Sequence, residues 1–150
     1  MDDGLRYKNN VARLPSANGF IDCCQSSVMN AGPLIQYILV AAGGAVGALS
    51  RFLVYRTVDT SFPWATFIVN IIGCTLASFL MFRFGVNMGD SLRTFLFVGI
   101  FGAFTTMSTF SIDTVNLLVG GNFTHAFINI ILNCVVCIGG ALLGRYLAML

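Results

Sequence analysis

Beyond a polar opening stretch, the chain alternates four long apolar runs with short polar breaks. The runs cover about residues 34–54, 63–84, 92–118 and 124–149. Each is near or above the roughly 20 residues an α-helix needs to cross a bilayer's hydrocarbon. None alternates apolar and polar positions with the period of two that marks a membrane β-strand. The pattern predicts an all-α membrane protein with four transmembrane helices. The breaks at 59–63, 85–90 and 120–122 are short, so neighbouring helices should pack as antiparallel pairs.

Residues 1–33 are different in kind. They are polar and turn-rich, with Pro15, Gly19, Gly32 and Pro33, and they hold no apolar core of a secretory signal. Asp2, Asp3 and Asp22 weaken a transit-peptide reading. Disorder is the expectation for such a tail, and Met29 stands as an alternative start. The organised part, residues 34–150, reads as one domain.

Composition sharpens this. Charged residues make up 9% of the chain and apolar ones 57%, against about a quarter charged in a soluble domain. There is no Glu, and three of the six Asp lie in the tail, which leaves little carboxylate for proton relays or acid–base catalysis within the membrane. The basic residues form no block that would suit nucleic acid. Arg6, Lys8, Arg13, Arg83, Arg93 and Arg145 fall on the side of the termini, and Arg51 and Arg56 on the other. A start at Met29 removes the first three, and so small a bias would barely choose an orientation. Cys23, Cys24, Cys74, Cys134 and Cys137 are odd in number, and the last three lie in apolar runs, which argues against a disulfide framework.

The third run carries the most unusual segment, GIFGAFTTMSTFSID at residues 99–113. Five hydroxyls, Thr105, Thr106, Ser108, Thr109 and Ser111, fall within seven positions. Hydrocarbon offers them no water, so they demand partners. Asn70, near the middle of the second run, is either interhelical glue or a donor toward a polar path. Asn129, Asn133 and Cys137, spaced by four, make a polar track on one helix face. They bond another helix or line a path. Cys134 and Cys137 form a CxxC inside an apolar helix, best read as small packing residues. Arg51 can snorkel, cap a helix end or draw anions to a vestibule. Asp113 can bond the freed backbone of a broken helix or pair with an arginine. Small residues four apart, Gly43 with Gly47 and Gly140 with Gly144, let helices approach closely. No catalytic set or phosphate loop assembles, which speaks against an enzyme. Amide and hydroxyl donors, together with phenylalanine ring edges, favour an anion without trapping it.

Three segments resemble the Fluc/CrcB fluoride channel family over residues 34–149: GGAVGALSRF at 43–52, FPWATFIVNIIG at 62–73 and GIFGAFTTMSTFS at 99–111. The resemblance implies a passive fluoride channel that lowers cytoplasmic fluoride from a bacterial inner membrane. It also implies an antiparallel dual-topology homodimer, or a heterodimer with a paralogue, whose third helix breaks near its middle. Asn70 would be the pore amide, with Met107 and Phe110 at the positions of pore phenylalanines and Ser108 and Thr109 in the same motif. Gly102 and Thr105 match positions whose backbone carbonyls hold a structural sodium ion. Asn129 and Asn133 match a fourth-helix polar track that more often carries Tyr and Ser. Met107 lacks an aromatic edge, and Ala65 and Ala103 stand where Gly is common. The competing reading is a four-helix proton-coupled multidrug exporter, which would call for an intramembrane acid.

Overall fold

A computed structural model of the chain describes residues 33–58, 61–85 and 87–150. The expectations for the tail and for Met29 lie outside the described residues. Four helices are long and apolar enough to cross a membrane: α1 (Pro33–Thr57), α2 (Trp64–Phe84), α3 (Asp90–Val119) and α4 (Phe123–Met149). Their limits fall within three residues of the apolar runs, because both are set by where the sequence turns polar.

The ends have local causes. Pro33 opens α1 at its first helical position, where a missing N–H is no loss. Between α3 and α4, Asn122 N–H reaches Leu117 O at 2.9 Å and Gly121 N–H reaches Leu118 O at 3.0 Å. This is a Schellman closure, and it requires the left-handed φ of +75° at Gly121. Arg93 closes the α2–α3 connection by donating to the Gly85 carbonyl.

Two close seams hold the helices together. α1 lies along the first half of α3, and α2 lies along the second half of α4. In the first seam, a Cβ at Gly43 would stand 2.5 Å from the Phe95 carbonyl oxygen, and one at Gly47 would strike the Ile100 carbonyl. In the second, a Cβ at Gly144 would strike the Thr75 carbonyl, and one at Gly140 would lie 2.7 Å from Thr75 Oγ1. The small residues spaced by four are therefore contact points, as helix association in lipid requires.

Burial is inverted relative to a soluble protein. Most large apolar side chains of α1 and α4 face outward, as lipid contact demands. Among the described residues, the three largest fully buried side chains are Val69, Thr66 and Asn129. Two of these three are polar, so the centre of the chain is organised by hydrogen bonds.

Candidate functional site

The third helix breaks where the hydroxyl cluster lies. Helical backbone runs to Phe104, then Thr105 (φ −76°, ψ 156°) and Thr106 (φ −150°, ψ 116°) are extended, and helix resumes at Met107. Each hydroxyl at the break has a local task. Thr105 Oγ1 donates to Phe101 O at 2.9 Å, closing the first half. Thr106 caps the second half, its Oγ1 accepting from Thr109 N–H at 3.2 Å. The same Oγ1 lies 2.9 Å from Thr109 Oγ1 and 3.2 Å from Ser108 Oγ. Ser111 donates back to Met107 O at 2.9 Å. Thr106 thus replaces a backbone partner that the break removes, while the other hydroxyls bond carbonyls one turn back or Thr106 itself.

Asn70 bridges that break from α2. Its Oδ1 accepts the Thr106 N–H at 2.8 Å, and its Nδ2 donates to Thr106 O at 3.1 Å. The amide reproduces what a helix or strand neighbour would give Thr106. Its second N–H goes to Asn133 Oδ1 at 2.8 Å. Asn70 therefore joins α2 to α3 and to α4. From Asn133 the network continues along α4. Asn133 Nδ2 donates to Asn129 Oδ1 at 3.0 Å and to Asn129 O at 3.1 Å. Asn129 Nδ2 donates to Thr114 Oγ1 at 3.0 Å, and Thr114 donates to Phe110 O at 2.8 Å. A wider π-helical turn, Leu132–Val136, contains Asn133. Such turns are frequent at functional sites.

A cleft of about 200 Å³ opens on this network, and Asn70, Thr105, Thr106, Met107, Phe110 and Asn133 are in its lining. Four of the seven residues expected on an anion path therefore share one cavity. Phe110 is buried against the protein, 6% exposed, while Met107 is 69% exposed. Ser108 and Thr109 lie outside the cleft lining, their hydroxyls turned to Thr106. Asn129 is 0% exposed and supports Asn133 from behind instead of lining the cleft.

Among the described residues Asp113 neither bonds freed backbone nor pairs with an arginine. Its Oδ2 accepts from Thr66 Oγ1 at 2.6 Å, and Thr66 Oγ1 lies 2.7 Å from Tyr55 Oη. Thr66, one turn before Asn70 on α2, reaches Asp113 first. The three residues tie α1, α2 and α3 together, beside a second cleft of about 270 Å³ lined in part by Asp113, Asn116 and Asn122. Arg51 lies half-exposed near the end of α1, without an ion pair among the described residues.

The break also bears on a cation. Thr106 N–H is taken by Asn70 and Thr109 N–H by Thr106 Oγ1, so the carbonyls of Gly102 and Thr105 lose their helical donors. Backbone oxygens of this kind suit a hard cation. Among the described residues no group of three or more His, Cys, Asp or Glu converges on a metal position.

A family model described as CrcB-like protein, Camphor Resistance (CrcB), matches residues 38–145. This range contains the break, Asn70 and the Asn129–Asn133 track. The chain belongs to the CrcB family. Curated relatives include proteins named fluoride-specific ion channel FluC. That of Ruminiclostridium cellulolyticum is 40% identical over 121 residues, covering 77% of this chain and 93% of the relative. That of Magnetococcus marinus is 36% identical, covering 73% and 94%. That of Phocaeicola vulgatus is 37% identical, covering 74% and 96%. With four spanning helices, this CrcB-family chain is a multi-pass membrane protein.

Three residues of the site escaped the sequence reading: Thr114, Thr66 and Tyr55. Thr66 falls four positions before Asn70, a spacing that puts both on one helix face. Thr114 falls four positions after Phe110, the spacing of a hydroxyl that bonds back along its helix. Tyr55 carried no signal, because its partner is set by how α1 meets α2.

Proposed function

We propose that this chain forms a passive, fluoride-selective channel that lets the anion leave the cytoplasm across a bacterial inner membrane, and that it is not an enzyme. The observation that carries the reading is Asn70. One amide holds open a broken membrane helix, faces a cleft beside Phe110 and Asn133, and joins a track of neutral donors. The relatives named as fluoride-specific ion channels support the substrate.

Conduction follows from exchange of partners. Both N–H groups of Asn70 are engaged, one on Thr106 O and one on Asn133 Oδ1. An arriving anion displaces the Asn133 carbonyl, since a charge-assisted bond is stronger than a neutral one. Asn133 retakes its place as the anion leaves. Without a fixed positive charge in the cleft, binding stays shallow enough for release.

A second, inverted copy completes the path in this proposal. Two carbonyls from one chain are few for a cation, and a twofold-related copy supplies two more. Gly102 and Thr105 of each copy would hold a sodium ion there, which would neutralise the freed carbonyls and fix the two broken helices together. A homodimer is favoured over a pair of paralogues because this chain holds the amide, the track and the carbonyl pair itself. A proton-coupled exporter lacks support here: Asp113 is the acid inside an apolar run, Asp90 standing at the first position of α3, and Thr66 already engages Asp113.

Purified protein in liposomes should release fluoride, measured with a fluoride electrode, far faster than chloride and without a proton gradient. Equal chloride flux, or release only with a proton gradient, would overturn the proposal.

A further inference from the structure

Beside the amide cluster, the cleft wall is sulfur. Cys74 on α2, Cys134 and Cys137 on α4, and Met107 after the break share the cleft with Asn70 and Asn133. All three cysteines are free thiols. Cys74 and Cys137 come from the two helices of the glycine seam and line the same cleft from either side of it. Cys137 is buried, Cys74 is half-buried and Cys134 is exposed.

The donor set selects the ligand class. Thiolates and thioethers favour soft cations over hard ones. Zinc in structural sites takes four ligands, and among the described residues no group of three or more His, Cys, Asp or Glu is placed to hold a metal. Two thiols that line one cleft from adjacent helices suit instead a soft cation content with two sulfur ligands, the class of mercuric, silver and cuprous ions.

We propose that Cys74 and Cys137 form a site for a soft thiophilic cation in the wall of the cleft, and that occupation of it stops ion passage. Two S–H protons leave to water and two sulfur–metal bonds form, with no change of oxidation state. The bound cation stands beside Asn70 and Asn133, where it fills the cleft; two thiolates cancel the charge of a mercuric ion, so the block is by occupation of the cleft and not by trapping of the anion. The blocking half of the proposal rests on the channel reading; the binding half does not.

The test uses the full chain carrying Cys23→Ser and Cys24→Ser, with mercuric ion as the probe. In detergent, ultraviolet absorbance of the mercury–thiolate bond is followed against a competing small monothiol. One mercuric ion per chain should be retained, and Cys74→Ser or Cys137→Ser should abolish retention while Cys134→Ser leaves it. In liposomes the same ion should reduce fluoride efflux to the rate of protein-free liposomes, reversed by dithiothreitol and absent in Cys137→Ser. No retained mercury, or retention that follows Cys134, overturns the site. Retained mercury with undiminished efflux overturns the block. A chain that retains mercury but conducts no fluoride when metal-free refutes the channel reading and leaves the site standing.

Discussion

The two halves of α3 are held by opposite means. The first half meets α1 through glycine, with backbone against backbone at Gly43, Gly47 and Gly99. The second half meets α2 and α4 through amides and hydroxyls, from Asn70 to Thr114. Lipid supplies no hydrophobic drive for helix association, so each seam relies on what remains, van der Waals contact in one and hydrogen bonds in the other. The packed seam tolerates no foreign group. The polar seam contains donors that exchange partners, and it is the one with a cleft. Rigidity on one side of the break allows the other side to be chemically open.

The packed seam should be the easier to destroy. A Cβ at Gly47 has no room before the Ile100 carbonyl, so Gly47→Ala should cost about 3 kcal/mol. Gly44, one residue from Gly43, has nothing within 4 Å of such a Cβ, and Gly44→Ala should stay within about 0.5 kcal/mol of the parent. The monodisperse yield in detergent, measured on heating, distinguishes them. Equal behaviour of the two variants would remove close packing as the basis of this seam.

Asn70→Ala attacks the polar seam at its centre. It leaves the Thr106 N–H and C=O without the partner seen here, at about 1–3 kcal/mol for each buried group left unsatisfied. Fluoride efflux from liposomes should fall by about tenfold or more, the equivalent of one 1.4 kcal/mol step. The variant should still elute at the parent's position on size exclusion. Undiminished efflux would confine Asn70 to holding the broken helix. Thr66→Val tests the neighbouring knot. It removes the 2.6 Å bond to Asp113 and the 2.7 Å contact with Tyr55, and should lower stability by about 1–3 kcal/mol. An unchanged melting profile would show that Asp113 finds another donor.

What the sequence disclosed follows the same division. The four spans were legible because bilayer thickness dictates their length, and the glycine contacts because small residues recur at helical spacing. The break was legible as a hydroxyl excess, though not that Thr106 would be the cap. Asn70 and Asn133 stood out as polar groups in an apolar setting. Their mutual bond did not, since it joins residues 63 apart and depends on how α2 meets a widened turn of α4. Asn129 looked equivalent to Asn133 by spacing. Only three dimensions separate the one that faces the cleft from the one that braces it.

A double-mutant cycle on Asn129 and Thr114 measures that brace. Their 3.0 Å bond is buried, yet side-chain hydrogen bonds between membrane helices average only about 0.6 kcal/mol of coupling. Asn129→Leu with Thr114→Val should return a coupling of that order, read from the unfolding of single and double variants. A coupling near zero would detach Thr114 from the track.

Met107→Phe should change stability least of all. The side chain is 69% exposed in the chain, so a ring there displaces nothing, and the effect should stay within about 0.5 kcal/mol. Its interest lies in conduction. A thioether offers the cleft a polarizable atom, whereas a ring offers an electropositive edge to an anion. If the exchange at Asn70 and Asn133 is what limits passage, the ring leaves fluoride efflux as it was. If approach to that pair limits passage, the ring speeds efflux while the response of Asn70→Ala persists in the double variant. The two outcomes separate a seam that selects by its amides from one that selects by the aromatic beside them.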